Sequence, residues 1–337
     1  MKGSLLQGLL LLLYSPLSVL SLSTPTTIFT LPGPVAPASW FENLAVRPNG
    51  LILATRGDAP EIWQIDPATG QGALLVSVTG AYNLTGIAEV LPPPHQRPQR
   101  RRQQNCAETY VFGSSHIPAP LQVEPGSAKV WTLQFPSGGC TTAAPTVALL
   151  AAMPNAGFIN GVAAWRPGRV LLSDTEAEAV YVMDVATGAY TTPLTGLTGV
   201  NGIKVAGGYV YRADHASQTL SRIPVDADTA VATGPAEVLA DNQSIDDFAI
   251  AVDGTTGQGK AYITAMYDNK VVEVAFGSAP SSGVGVKTLV ADNLSGTGSG
   301  LCTVVAFGRR TQDSGLLYAT VGQGGGSAAI VSLDPSQ

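Results

Sequence analysis

A block of about 40 residues recurs six times along this chain, and this period constrains the fold more than any other feature. The two clearest copies are residues 159–188 and 200–229. Each copy has an apolar strand, a glycine turn, a second strand ending in Asp and a third strand. The remaining copies span residues 42–70, 86–135, 245–277 and 298–334. Such a period is typical of propellers with one four-stranded blade per repeat, so we predict an all-β, six-bladed β-propeller.

The composition agrees with this fold. The chain has 38 glycines, 24 prolines and only 12% charged residues, which favours short strands and tight turns over long amphipathic helices. A β-sandwich is the alternative, but it would not explain six similar blocks. We expect residues 24–337 to form one propeller domain, in which residues 26–32 supply an outer strand that closes the ring against the last blade.

Residues 1–23 have the pattern of a secretory signal: a positive charge at Lys2, an apolar stretch at 5–20, and small residues at Ser21 and Ser23. A membrane anchor is the alternative. Ser15 and Pro16, however, interrupt the apolar run before it reaches the roughly 20 residues that span a bilayer. We therefore predict a secreted protein with no membrane segment after removal of the signal.

The net charge of −6 provides no basic surface for nucleic acid. One arginine cluster, within residues 97–102, is surrounded by prolines and glutamines and is interpreted as a solvated loop. The expected partner is a small apolar or aromatic molecule, bound by a monomer.

Three cysteines in an exported chain allow one disulfide and leave one thiol. Cys106 and Cys140 bracket a single strand-like stretch and form the predicted disulfide. Cys302 lies in an apolar run and is predicted to be a buried free thiol. The glycosylation sequons begin at Asn83, Asn242 and Asn293.

In a propeller, the starts of the inner strands and the ends of the second strands share one mouth of the channel. The predicted starts carry Glu42, Asn160, Asn201 and Asp247. Two acids and two amides can hold a divalent cation such as Ca²⁺, whereas ordinary turn chemistry is the alternative for each of them alone. The ends of the second strands carry Arg56, Ser115, His116, Asp174, Thr175, Asp214, His215 and Tyr267.

With these four positions, the repeats resemble the family of senescence marker protein and gluconolactonase, calcium- or zinc-dependent six-bladed propellers that hydrolyse sugar lactones. The resemblance implies that Glu42, Asn160, Asn201 and Asp247 match the metal positions of that family.

The chain departs from the family pattern at three places. Phe158 stands where the family has a substrate-binding Arg, Gly161 replaces an acid, and the sequence at 246–248 replaces Pro-Asp-Gly. These changes predict that the mouth of the channel is apolar and aromatic and suits an apolar ligand. The expected substrate contacts are Trp40, Phe41, Phe158, Phe248, Tyr267 and His116.

The WFENLAVRPNG segment at 40–50 and the FGR segment at 307–309 are similar to a secreted fungal branch of these propellers. That branch contains the hetero-Diels-Alderases of tropolone sesquiterpenoid pathways. The resemblance implies dehydration of a benzylic alcohol to a quinone methide, followed by its [4+2] addition to a humulene-type alkene.

Three functions remain open. In a cyclase, which requires no cofactor, Asp247 or His215, with Asp214 beside it, would handle the proton of dehydration. In a metal-dependent lactonase, the metal would polarise a carbonyl and Asp247 would activate water. A non-catalytic ligand-binding propeller is the third, since a fold does not dictate function.

Overall fold

The computed structural model describes residues 22–33, 39–92, 108–118, 122–136, 144–277, 284–296, 300–322 and 327–337. These residues form six four-stranded antiparallel sheets with almost no helix. Each sheet is one blade, so the predicted six-bladed β-propeller is confirmed.

In every blade the strands follow one another from the channel outward. Blade 1 contains β2 (Phe41–Val46), β3 (Ile52–Arg56), β4 (Glu61–Asp66) and β5 (Gln71–Ser77). Blade 2 contains β6 (Ile87–Glu89), β7 (Glu108–Ser114), β8 (Lys129–Phe135) and β9 (Thr146–Ala152). Blade 3 contains β10 (Ile159–Arg166), β11 (Arg169–Asp174), β12 (Ala179–Asp184) and β13 (Tyr190–Leu194).

The second half of the chain repeats the plan. Blade 4 contains β14 (Val200–Ala206), β15 (Tyr209–Asp214), β16 (Thr219–Pro224) and β17 (Glu237–Ala240). Blade 5 contains β18 (Ile245–Val252), β19 (Gly259–Ala265), β20 (Lys270–Phe276) and β21 (Val286–Ala291). Blade 6 contains β22 (Val305–Phe307), β23 (Leu317–Val321) and β24 (Ala329–Leu333), and its outer strand is β1 (Thr26–Thr30).

Strand β1 closes the ring, as predicted from residues 26–32. It pairs antiparallel with β24, so the two ends of the fold share one sheet. The buried Phe29 ring lies 6.3 Å from the Phe41 ring and 6.0 Å from the Trp63 ring, both of which belong to blade 1. Blade 6 is therefore joined to the N-terminal strand by backbone pairing and to blade 1 by aromatic packing.

Buried hydroxyl groups connect neighbouring blades around the channel, and we call this set the hydroxyl belt. Each hydroxyl donates to a backbone carbonyl at the start of the next inner strand. The bonds run from Thr55 to Thr85 (2.8 Å), Thr85 to Ile159 (2.7 Å), Ser173 to Asn201 (2.5 Å), Thr264 to Thr303 (3.0 Å) and Thr303 to Phe41 (2.9 Å). Ala213 occupies the corresponding place in β15, so the junction between blades 4 and 5 lacks this hydroxyl.

Several predictions from the sequence concern the edges of the fold. Cys106, Cys140 and the arginine cluster lie outside the described residues, so the disulfide stays a prediction. Cys302 is a buried free thiol, as predicted, and burial raises its pKa to about 12. The predicted signal lies outside the described residues except for Leu22 and Ser23, and Ser23 is buried, with its hydroxyl accepting a bond from the Asp334 amide.

The part of the chain that the structure describes contains no helix long and apolar enough to cross a bilayer.

We expect Phe29→Ala to lower the free energy of unfolding by about 3–5 kcal/mol, because it removes a buried aromatic ring where the two ends of the fold meet. Thr27→Ala, on the exposed face of the same strand, is the control and should change stability by less than about 0.5 kcal/mol. Denaturant unfolding of the two variants checks this, and equal stabilities would contradict the packing role of Phe29.

Candidate functional site

Four inner strands share an irregularity near their starts. Pairing with the second strand skips Glu42 in β2, and it skips residues 160–161, 201–202 and 246–247 in β10, β14 and β18. Such bulges re-aim side chains and are frequent beside active sites. The first residue of each break is Glu42, Asn160, Asn201 or Asp246, and we call these four the polar ring.

This equivalence corrects one prediction. Asp247 was predicted to share a position with Asn201, but Asp246 is the first residue of the break in β18. Asn201 confirms the assignment, because its Nδ2 donates to Asp246 Oδ1 at 2.5 Å across the junction between blades 4 and 5. Because Asp246 and Asp247 are adjacent at one bulge, the sequence alone does not show which of them is equivalent to Asn201.

Hydrogen bonds hold the other members of the polar ring. Trp40 Nε1 donates to Glu42 Oε2 at 2.6 Å, and Asn160 Nδ2 donates to Thr175 Oγ1 at 3.3 Å. Glu42 and Asp246 belong to blades 1 and 5, and they interact through their charges, since Glu42 raises the pKa of Asp246. The ring thus brings residues of four blades toward one axis.

Both acids of the polar ring have raised pKa values. Burial raises the pKa of Glu42 to about 7, partly opposed by the Trp40 hydrogen bond and reinforced by the charge of Asp247. Burial, followed by the charges of Glu42 and Asp247, raises the pKa of Asp246 well above its ordinary value, and the Asn201 bond opposes this shift. The pair therefore retains a proton near neutral pH.

Asp247 belongs to a second group, the inner cluster of Asn43, Lys204 and Asp247. Asn43 Nδ2 donates to Asp247 Oδ2 at 2.9 Å, and Lys204 Nζ donates to Asp247 Oδ1 at 2.5 Å. The Asp247 side chain lies directly against Gly202, where any Cβ would collide with its carboxylate. Asp247 is thus an ion-paired acid that lies one residue beyond the ring.

The donor chemistry of the polar ring fits a hard divalent cation, whereas the predicted set with Asp247 does not, because an ammonium already pairs with Asp247. Glu42 and Asp246 supply carboxylates, and Asn160 and Asn201 supply amide oxygens. Within the described ranges, no Lys or Arg pairs with Glu42 or Asp246. No group of three His, Cys, Asp or Glu side chains in those ranges is arranged to hold a metal ion, so the amides would have to complete the coordination.

Aromatic side chains lie at the same end of the channel as the polar ring, before the inner strands and after the second strands, and we call them the aromatic rim. Trp40 and Phe158 are half-buried, and the rings of His215 and Tyr267 lie 5.8 Å apart. The Tyr82 ring stacks on His116 at 3.8 Å. The rim thus consists of Trp40, Tyr82, His116, Phe158, His215 and Tyr267. Tyr82 was missed because it lies in a connection outside the repeated blocks.

Two predicted wall residues are in the core instead. Phe41 is 1% exposed and packs against Phe29, and Phe248 is 0% exposed within the cluster of blades 4 and 5. Phe41 lies just before the bulge in β2, and Phe248 lies just after the bulge in β18. At both positions the regular alternation of the strand directs the side chain between blades. The expectation that Phe41 and Phe248 contact a ligand is therefore wrong.

The remaining predicted residues differ in their surroundings. Asp214 is buried, pairs with Arg212 at 3.3 Å and accepts the Ser217 amide at 2.8 Å, which is turn chemistry. His215 is half-buried, and its buried Nδ1 has no hydrogen-bond partner among the described residues. Asn83 is 6% exposed and its Oδ1 accepts the Ser115 amide.

Asn242 and Asn293, the other two sequon residues, are exposed at turns with positive φ. Glycosylation stays a prediction, and the exposed pair offers the accessible side chains.

Two curated proteins resemble this chain over most of its length. No protein-family model matches the chain. A Phoma sp protein named "Putative hetero-Diels-Alderase" is 25% identical over 323 residues, covering 84% of this chain and 83% of that protein. A Sarocladium schorii protein named "Putative hetero-Diels-Alderase asR5" is 24% identical over 329 residues, covering 84% of this chain and 75% of that protein.

Solved structures share the fold. The calcium-binding protein regucalcin from Agrobacterium tumefaciens matches with a TM-score of 0.58 at 15% identity, covering 93% of this chain and 95% of that chain. A structure described as a "putative gluconolactonase" matches with a TM-score of 0.56 at 12% identity, covering 93% of this chain and 92% of that chain. The resemblance drawn from the sequence is confirmed for both groups.

The raised pKa of Glu42 predicts how stability changes with pH. The folded state binds a proton at Glu42 up to about 7, whereas the unfolded chain loses it near 4.5, so stability falls as pH rises between these values. Glu42→Gln should flatten this dependence, and Glu176→Gln, at an exposed position, should leave it unchanged. Denaturant unfolding across this pH interval measures both, and an unaltered slope in Glu42→Gln would contradict the assignment.

Proposed function

We propose that this chain is a cyclase of natural-product biosynthesis, which dehydrates an aromatic benzylic alcohol to a quinone methide and adds it to a terpenoid alkene. One observation carries the proposal: an acid pair that retains a proton near neutral pH lies beneath a rim of aromatic side chains. The names of the two related fungal proteins support the same reaction class.

The Glu42–Asp246 pair supplies acid and base for the dehydration. Loss of water from a 2-hydroxybenzyl alcohol requires a proton on the leaving hydroxyl, and the phenol must lose its own proton. While Glu42 is ionised, burial and the charge of Glu42 keep Asp246 protonated, so one acid donates and one carboxylate accepts. The benzylic C–O bond breaks, water leaves, the phenol proton passes to the pair, and the pair returns to its starting protonation state.

The addition step needs no further proton. The quinone methide supplies its carbonyl oxygen and exocyclic carbon, and the alkene supplies two carbons, so one C–O and one C–C bond form and a dihydropyran ring closes. Holding both partners in contact can remove roughly 7 to 11 kcal/mol from a bimolecular barrier. The rim side chains Trp40 and Phe158 provide apolar surface for this and exclude water from the reactive intermediate.

Trp40 has a second role as a positioning residue. Its indole N–H donates to Glu42 at 2.6 Å and fixes that carboxyl under the rim. The same hydrogen bond lowers the pKa of Glu42, which burial would otherwise raise further.

A metal-dependent lactonase is the alternative that a specific observation favours. Glu42, Asn160, Asn201 and Asp246 present the oxygen donors of a calcium site, and the fold matches gluconolactonase-like structures. A cation bound there would polarise a lactone carbonyl. Phe158 weighs against a sugar substrate, because it brings a half-buried apolar ring to the rim.

Metal dependence separates these two functions. We expect conversion of 2-hydroxybenzyl alcohol and humulene to their adduct to continue in excess EDTA, because the acid pair carries the proton transfers. We expect no hydrolysis of a sugar-lactone panel with Ca²⁺, Zn²⁺ or Mg²⁺ added. Phe158→Arg should abolish adduct formation by placing an unpaired charge against an apolar ligand. Metal-dependent lactone turnover that survives Phe158→Arg would instead establish the lactonase.

The acid pair makes a separate prediction about rate. We expect a bell-shaped pH dependence of adduct formation with one limb near the Glu42 pKa of about 7, because the active pair holds one proton. Glu42→Gln should remove that limb and lower the rate by roughly 10²–10⁴-fold. Asp246→Asn should have an effect of similar size, and Glu176→Gln should have none. A normal rate in either pair variant would rule out this mechanism.

A further inference from the structure

The channel contains a cavity of about 340 Å³ beyond the polar ring. All six inner strands line it, and the lining positions follow the ring residues along each strand: Asn43 follows Glu42, residues 162–164 follow Asn160, and Lys204 follows Asn201. The cavity therefore lies on the side of the ring away from the aromatic rim. Its volume falls within the roughly 300–1,000 Å³ of small-molecule pockets.

The cavity wall is almost wholly apolar. Among its lining residues, the polar side chains are those of Asn43 and Lys204. The apolar lining consists of Leu44, Ile87, Ala88, Val162, Ala163, Ala164, Val205, Ala249, Ile250, Val304, Val305, Ala306 and Phe307. A pocket with an apolar wall and few convergent polar groups is the usual form of a small-molecule site.

Lys204 supplies the polar anchor of this wall. Its side chain is 26% exposed, whereas that of its partner Asp247 is 5% exposed, so the ammonium is the accessible half of the ion pair. An ammonium has three N–H donors, and Asp247 Oδ1 accepts one of them. The Phe248 ring, 5.2 Å from Lys204 Nζ, covers another side of the charge.

The Lys204–Asp247 ion pair favours an uncharged ligand over an anion. Because Asp247 already balances Lys204, an anion entering the cavity would face the buried carboxylate as well as the ammonium. An uncharged acceptor meets no such repulsion. A carbonyl oxygen is the simplest group that can accept a Lys204 N–H bond there.

We propose that this cavity is a binding site for a compact, uncharged apolar molecule with one carbonyl oxygen, and that Lys204 donates a hydrogen bond to that oxygen. The site lies on the side of the polar ring away from the aromatic rim. It stands on the cavity and the ion pair alone and does not rest on the proposed function.

Two probes of equal heavy-atom count test the proposal: 2-acetylnaphthalene, which has a carbonyl, and 2-isopropylnaphthalene, which has none. Titration calorimetry with the full chain should show that both bind. The ketone should bind about three- to tenfold more tightly, the factor that one net hydrogen bond supplies. Failure of both probes to bind would overturn the proposal.

Two sets of variants locate the binding. Ala164→Leu fills the cavity and should weaken both probes at least tenfold, whereas Ala148→Leu, on the exposed outer strand of blade 2, should change neither. Lys204→Met combined with Asp247→Asn removes the ion pair without stranding a buried charge, and it should abolish the preference for the ketone. A thermal melt of each variant confirms that it is folded.

Binding that is unaffected by Ala164→Leu would place the probes elsewhere and overturn the proposal. A ketone preference that survives loss of Lys204 would overturn the role of the anchor. Because these readouts measure binding without turnover, a chain that binds the ketone as expected but forms no adduct would refute the proposed cyclase and leave this site standing.

Discussion

The bonds of the hydroxyl belt fix each inner strand to the next, and the geometry of the channel depends on them. A buried hydroxyl that lost its carbonyl partner would cost about 1–3 kcal/mol, so each bond constrains the position of its neighbour strongly. Thr55, Thr85 and Ser173 each reach the following blade, so these bonds hold the start of one inner strand to the blade before it. Residues from four different blades can therefore form one polar ring.

The bulges create two chemically different levels of side chains along the channel, the polar ring and the inner cluster. At the first level, Glu42 and Asp246 are acids whose pKa values are raised by burial and by the charges of neighbouring carboxylates. At the next level, Asp247 is held by Asn43 and Lys204 in a neutral ion pair. A shift of one residue along β18 thus separates an acid with a raised pKa from a carboxylate that is paired with Lys204.

The sequence predicted the architecture well and the site in part. The period of the repeats fixed six blades, and residues 26–32 were correctly assigned to ring closure, because both follow from the spacing of apolar strands. The spacing of apolar residues does not reveal the bulges. As a result, Asp247 was predicted in place of Asp246, and Phe41 and Phe248 were predicted to line the ligand-binding wall. Lys204 was missed because its partner lies on the next blade.

Because Ala213 has no hydroxyl, the junction between blades 4 and 5 differs from the other five junctions of the propeller. Five junctions between blades are joined by neutral hydroxyl bonds, but blades 4 and 5 are joined by the Asn201–Asp246 and Lys204–Asp247 contacts, which involve ionisable groups. A change in the protonation of Asp246 therefore acts directly on the contact between blades 4 and 5. This junction borders both the acid pair and the cavity, because Asp246 belongs to the pair and Lys204 lines the cavity.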